Sequence, residues 1–574
     1  MKKTLALLTL TALALCAEAA VFNFADFGGK GDNKTDNRTA FLKAFDALKK
    51  APGSTLNIAP GTYRIGTGSE KFVHERYHMI IRNLKKAAIN GNQAKIVFTD
   101  PEHGGFLFYD CPDLKLNGLV FDWDPLAFTQ GEIVSVDEKN PRVFTYKLED
   151  GFPEANNKNF KNYGPEGKFM IGFVYDPATR KLFTARLKDN HKNVEKVEKI
   201  GDRLYRITLP RRTSPEGIAK GRLFVLLSRN PSNGIVFHAC VRPRLNDITM
   251  YSSSHIGMVF RWGTVNPELT NVQIRILPNS RRMISVNADS LFFDGCQKPI
   301  LKKCYLEGGM DDGIVLPVHG RRVLEKIDDK TFIVRATWAV GFFNNNTLEG
   351  IDLKTGERTG PLFAVAVKDR KVITTPEGKR YEVDTVVFDK PAPQLKANDF
   401  LFNRTFSNQQ FVAEDCDIVN LRGKAVKIHG QGGIVRNCRV DGTTFGAIEI
   451  GYQGGRANGN WVWMWADNVR IENNIIRNAA NLGLIQLTSI GWATAIRIHQ
   501  GPDTMSGRPN RNIRITGNTI ENSGQSAMRA WNAENVVFTG NTIKNFNLMK
   551  FPTDTMAVDL INVKGAVVKE NNIQ

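Results

Sequence analysis

Five short segments toward the C-terminus repeat one template, and that repetition limits the fold more than any other feature of the chain. They are Ala425-Val-Lys427-Ile-His429, Ala447-Ile-Glu449-Ile-Gly451, Leu484-Ile-Gln486-Leu-Thr488, Ala527-Met-Arg529-Ala-Trp531 and Ala557-Val-Asp559-Leu-Ile561. Each sets a polar residue between two apolar ones, and the two-residue period of a strand sends the apolar pair inward and the polar residue outward. The first step, from Lys427 to Glu449, is 22 residues, about one turn of a parallel β-helix whose coils contribute strands to stacked sheets. Later steps are lengthened by loops. Asn474, Asn518, Asn541 and Asn572 fall at equivalent turns before an Ile, which predicts a ladder of side-chain amides running from coil to coil. The fold class is therefore all-β: a right-handed parallel β-helix.

A chain of 574 residues is several times the size of an ordinary domain, which favours a solenoid or several domains over one compact core. The opening MKKTLALLTLTALALCAEAA has two lysines, an apolar run and a small-residue exit, so residues 1–20 read as a secretory leader and the protein as exported, periplasmic or extracellular. Leu15 is too large for the usual lipidation site before Cys16, which ranks a lipoprotein behind plain export. No other apolar run approaches the roughly 20 residues that span a bilayer. Beyond Cys16 there are six cysteines with no CxxC or His/Cys cluster, so buried thiols are expected rather than a zinc site. The net charge of +19, from 77 Lys plus Arg against 58 Asp plus Glu, would suit an anionic partner. With no basic run of five and no nucleic-acid motif, it favours only an anionic or sulfated glycan.

Residues 21–124 read as an N-terminal cap and first coils. In TDNRTAFLKAFDALKK, Asp36 is the expected N-cap, and Ala40, Phe41, Ala44, Phe45 and Leu48 form one apolar stripe at helical spacing that would plug the open end of the solenoid. Residues 125–230 lose the coil period and show longer two-periodic strands, which predicts an inserted antiparallel β-barrel or sandwich. Coils resume over 231–320, a second β-insert occupies 321–403, and coils run from 404 to 574.

The central coils carry the chemistry. In Asn287 to Gly320, Asp289 is followed 22 residues later by the adjacent pair Asp311 and Asp312, so one coil brings three carboxylates together on neighbouring strands about 4.8 Å apart. Inverting glycoside hydrolysis needs a carboxylic acid and a carboxylate base about 6.5 to 9.5 Å apart, and mutual repulsion lets one member of such a cluster keep its proton. The competing reading makes Asp312-Gly313 a turn and Asp289 a strand cap. Downstream, Lys427, His429 and Glu449 face outward as candidates for binding hydroxyl or anionic groups, and His319 lies close enough in sequence to contact a sugar. Trp463, between Trp461 and Trp465 in WVWMWAD, belongs either to a stacking platform or to ordinary packing. His238 and His255 show no partner in the sequence.

The opening segment, with LNIAPGTYRI, resembles that of pectin-lyase-like β-helix proteins. ITMYSSSHIGMVF, NADSLFFDGC, CYLEG and DDGIVLPVHG resemble, in order, the central motifs of the glycoside hydrolase 110 α-1,3-galactosidases, and more remotely the Asp and Asp-Asp motifs of polygalacturonases. That resemblance implies a β-helix with barrel inserts and exo-cleavage of terminal α-galactose with inversion, needing neither metal nor cofactor. It implies Asp289 as general acid and Asp311 and Asp312 as the general-base pair, whereas polygalacturonases assign the acid to the pair. Two departures stand out: IVLPVHG places Pro317 and a later His319 where the family runs into an INVHG-like motif, and Ser290-Leu291-Phe292 lacks the polar aromatic residue of that position. The expected partner is an oligo- or polysaccharide, with self-association open, and with no nucleic acid and no membrane span. The alternatives are a polysaccharide lyase using a Lys or Arg base, disfavoured by the lack of a Lys/Arg pair beside the carboxylates, and a non-catalytic glycan-binding solenoid.

Overall fold

The structure is a computed structural model that describes residues 19–574 apart from 157–169, 184–190, 231, 337–341, 353–354, 375–377, 379, 452, 455–461, 481–492, 500–505 and 551–555. The leader, Trp461 and Gln486 lie outside the described residues. No described helix is long and apolar enough to cross a membrane.

The chain winds into a parallel β-helix whose coils each lay down short strands separated by tight corners. Met258–Arg261, Leu291–Asp294, Ile314–Leu316 and Val426–Ile428 stack in parallel register, with Phe292 opposite Val259 and Val315, and Val315 opposite Lys427. Alternation explains why these sequences form such strands. Met258 and Phe260, Leu291 and Phe293, and Ile314 and Leu316 point into the core, while the residues between them point out. The rings of Phe108, Phe237, Phe260 and Phe293 stack through the core, with centroids 5.3, 4.8 and 4.9 Å apart. Offset contact of this kind adds to the burial of each ring.

Helix Arg38–Lys50 closes the N-terminal end with the five predicted apolar residues buried. Its N-cap is Asn37 rather than Asp36, although the Asp36 carboxylate still accepts the Arg38 N–H at 2.9 Å. The six described cysteines are free and buried.

Both inserts leave the stack uninterrupted. Strands from Phe128–Val136 to Leu223–Leu227 form a seven-stranded antiparallel sheet, yet Leu107 pairs directly with Val236 across it. One face of that sheet packs on the coils through Met283, Ile284 and Met310. Strands from Arg321–Lys326 to Phe400–Asn403 close into a six-stranded barrel that leaves and re-enters between Val315 and its neighbour Lys427.

A buried amide ladder runs through the C-terminal coils. Asn474 donates to Asn518 at 2.9 Å, Asn518 to Asn541 at 3.0 Å and Asn541 to Asn571 at 3.0 Å. The last rung is Asn571 and not Asn572, because Asn572 already lies in the final strand, opposite Thr542. Cys304, Cys416 and Cys438 precede the paired residues Tyr305, Asp417 and Arg439, and the Cys438 N–H donates to Asn474 at 2.9 Å. The thiol column thus continues into the amide column. Asn518→Ala would strand the donors of Asn474, and an unsatisfied buried polar group costs about 1–3 kcal/mol. The expected result is a lower thermal midpoint, with faster hydrogen exchange at Asn474 than at amides near the N-terminal helix.

Candidate active site

The three aspartates meet on the outer wall of two successive coils. Asp289 sits in the corner before Leu291–Asp294, and Asp311 and Asp312 in the corner before Ile314–Leu316, so the register that pairs Leu291 with Ile314 also aligns the corners. One carboxylate oxygen from each lies within 4.8 Å of the others, tighter than the acid–base separation expected from the sequence. The Asp312 N–H donates to Asp289 Oδ1 at 3.0 Å, and the Lys424 N–H donates to Asp312 Oδ1 at 2.7 Å. This approach requires Gly423, where a Cβ would come within 2.3 Å of the Asp311 carbonyl carbon.

Three cations balance the cluster, contrary to the expectation that no Lys/Arg pair lies beside it. Arg229 Nη1 is 2.8 Å from Asp311 Oδ2 and Arg422 Nη1 is 3.5 Å from Asp311 Oδ1, while Lys427 Nζ is 3.4 Å from Asp312 Oδ2. Arg229 is itself held by the carbonyls of Asn287 and Met310, at 2.8 and 2.7 Å. It follows strand Leu223–Leu227, so the first insert delivers a charge into the site. Three nearby oxygens could in principle hold a metal ion; the cations already on Asp311 and Asp312 would oppose one by like-charge repulsion.

The protonation states diverge. Asp289 is pushed well above the usual carboxylate range by burial and by the charges of Asp311 and Asp312. Asp311 is half-buried too, but Arg229 and Arg422 outweigh the loss of solvent and hold its carboxyl well below that range. Lys427 is held above its ordinary value by Asp312, Glu449 and Asp289 despite burial, so its amine stays charged. The site therefore sets a carboxyl biased toward its protonated form beside one biased toward its ionised form, with oxygens of all three aspartates within 4.8 Å of one another.

The aspartates open into a cavity of about 400 Å³, also lined by Lys427, His319, His255, Arg261, Asp294 and Phe292. His319 Nε2 lies 3.4 Å from Asp294 Oδ1. His255 does have a partner, Asn233 Oδ1 at 2.8 Å, and burial lowers its imidazole to about 4. His238 is buried against Tyr109 and Phe72.

His429 and Glu449 do not join this cavity. Both point away from the coil core but are buried, at 0% and 1% exposure, instead of facing solvent. Glu449 sits between Lys424, 3.6 Å away, and Arg497, 3.9 Å away, which hold its carboxyl well below the usual range. His429 is lowered to about 3 by burial, beneath the segment carrying Met464 and Trp465, which pack on Phe400 and Phe402 of the second insert. The strand template has one wrong member as well: the column runs Lys427, Glu449, Arg497, Arg529, Asp559, so Arg497 holds the place assigned to Gln486. Trp463 pairs through its backbone with Gln453, and its side chain lies outside the described residues. Trp465 is fully buried, which is packing rather than a sugar platform.

Arg229, Arg422, Arg261, Asp294 and Glu75 escaped the sequence reading. Arg261 and Asp294 carried a readable signal, since each ends the exposed register of a strand whose partners were identified. Arg229 carried none, because only the folded insert brings it near.

No protein-family model matches the chain. It is 21% identical to α-1,3-galactosidase B of Bacteroides thetaiotaomicron over 547 residues, covering 89% of this chain and 84% of that protein. It is 23% identical to α-1,3-galactosidase A of Bacteroides fragilis over 486 residues, covering 75% and 77%. Among solved structures it resembles the A-module of Azotobacter vinelandii mannuronan C-5 epimerase AlgE6, with 12% identity and a TM-score of 0.38 over 96% of this chain and 99% of that chain. The chain is thus a relative, at low identity but over most of its length, of the Bacteroides α-1,3-galactosidases, built on a parallel β-helix.

Proposed function

We propose that this protein is an exported glycoside hydrolase that removes a terminal α-linked galactose with inversion. The observation that carries the reading is the cluster of Asp289, Asp311 and Asp312, one member pushed toward its protonated form and another toward its ionised form, at the wall of a sugar-sized cavity. Asp289 supplies the proton to the departing glycosidic oxygen. Asp311 and Asp312 activate the water. Two acceptors that share one water at about 2.8 Å each lie about 4.6 Å apart at a tetrahedral angle, a spacing compatible with the oxygens here.

The closeness of the carboxylates taken alone fits retention, whose pair is about 5–5.5 Å apart, better than inversion at about 6.5 to 9.5 Å. What favours inversion is that Asp311 and Asp312 are pinned by Arg229, Arg422, Lys427 and the Lys424 N–H. A carboxylate so engaged has its lone pairs turned away from attack at carbon, while it can still orient a water by hydrogen bonding. A lyase route is disfavoured for a related reason: Lys427, the amine nearest the cluster, is held charged and cannot abstract a proton.

Proton NMR of an α-galactoside digest is expected to show β-galactose first; α-galactose first would overturn inversion, and release of an unsaturated sugar would overturn hydrolysis. Asp311→Asn is expected to lower kcat/KM by about 10²- to 10⁴-fold with unchanged circular dichroism.

The pH dependence follows from the two shifts. The acid must be protonated, so activity falls as pH rises through the raised Asp289 value. The base must be ionised, so the acid limb lies below the ordinary carboxylate range. Asp289→Asn should flatten the alkaline limb of the kcat/KM profile and spare aryl galactosides with good leaving groups, which need no acid. Equal loss on good and poor leaving groups would move the acid role to another member of the cluster.

A further inference from the structure

The cavity has a second polar bank, which the proposed chemistry does not use. Strand Leu291–Asp294 leads away from Asp289 and turns Phe292 and then Asp294 outward, two residues or about 6.6 Å apart. Phe292 is partly exposed and, with Val259 and Val315 beside it in register, makes an apolar strip suited to the C–H face of a pyranose. Asp294 stands at the far end of that strip, 2% exposed. Its Oδ1 has no hydrogen-bond partner among the described residues and is 3.4 Å from His319 Nε2, long for a hydrogen bond. The cation next to it in register, Arg261, is already committed to Glu75, at 3.2 and 2.5 Å.

A buried carboxyl without a hydrogen bond costs free energy until a ligand satisfies it. The group facing it across a sugar from Asp289 would be a ring or exocyclic hydroxyl. Charge decides what else it would accept. The cations at this cavity are already paired, Arg229 and Arg422 with Asp311, Lys427 with Asp312 and Arg261 with Glu75, so the net charge of +19 is not the charge the sugar meets. We infer that Asp294 is a specificity-determining residue that reads a hydroxyl of the terminal sugar and rejects a carboxylate or sulfate in its place. The inference rests on the cavity holding the terminal galactose of the proposed reaction, and it replaces the anionic glycan that the overall charge suggested.

The test is direct binding, which needs no turnover. Titration calorimetry of the full-length protein with galactose and galacturonate is expected to favour galactose at least tenfold. Asp294→Asn, which keeps the shape of the side chain, is expected to bind galactose at least tenfold more weakly and to lose most of the discrimination. On the unmutated protein, either 4-deoxy- or 6-deoxygalactose should show a comparable loss, which identifies the hydroxyl without any variant. The inference is overturned if the unmutated protein binds neither sugar, if it binds galacturonate as well as galactose, or if both deoxy sugars bind like galactose. It is overturned as well if Asp294→Asn leaves the ratio unchanged. Selective binding of galactose with no hydrolysis would instead sink the catalytic reading and leave the role of Asp294 standing.

Discussion

Parallel backbone pairing between successive coils is the constraint on which the rest of this structure depends. It fixes register: once Leu291 pairs with Ile314 and Ile314 with Val426, every outward residue on those strands acquires a determined neighbour above and below. A slip of one residue would turn the outward set into the core, and the alternation of Leu, Phe and Ile with polar residues makes that costly. The site is a consequence of this lattice. Asp289 and the Asp311–Asp312 pair occupy equivalent corners, and the strands that follow provide an apolar strip ending in Arg261 and Asp294.

The same lattice explains how two large inserts are tolerated. Each leaves the stack at one corner and returns to the next coil, so the loop-closure cost grows slowly with length while coil-to-coil pairing is retained. The inserts also repay that cost chemically. The first sends Arg229 onto Asp311, and the second packs Phe400 and Phe402 against Met464 and Trp465 of the C-terminal coils. Cations so placed decide which aspartate is charged. Asp289 and Asp311 are both half-buried, but Asp311 has two guanidiniums beside it whereas Asp289 faces the charges of Asp311 and Asp312, and their opposite shifts follow from that difference.

Much was legible in the chain because a solenoid converts sequence spacing into spatial proximity. The 22-residue interval was enough to bring Asp289 near Asp311 and Asp312, and the Asn–Ile turns announced the amide ladder to within one residue of its final rung. Errors arose where loops of unequal length broke the interval. Gln486 matched the strand template but Arg497 occupies the column, since a short apolar-polar-apolar run is common and only pairing selects among candidates. Lys427, His429 and Glu449 were correctly pointed away from the core, but direction is a property of one strand whereas exposure depends on what else folds over it.

The sequence by itself determined the coil, its inward and outward faces, the helical plug and the grouping of three aspartates, all of which follow from local periodicity repeated at a fixed interval. Only the tertiary structure decided the charge balance around those aspartates, the burial of the downstream ladder, and the second polar bank at Asp294. Those depend on residues brought in from the inserts or from coils far away in the chain, such as Arg229 and Glu75, and electrostatics is set by distance through space rather than along the backbone.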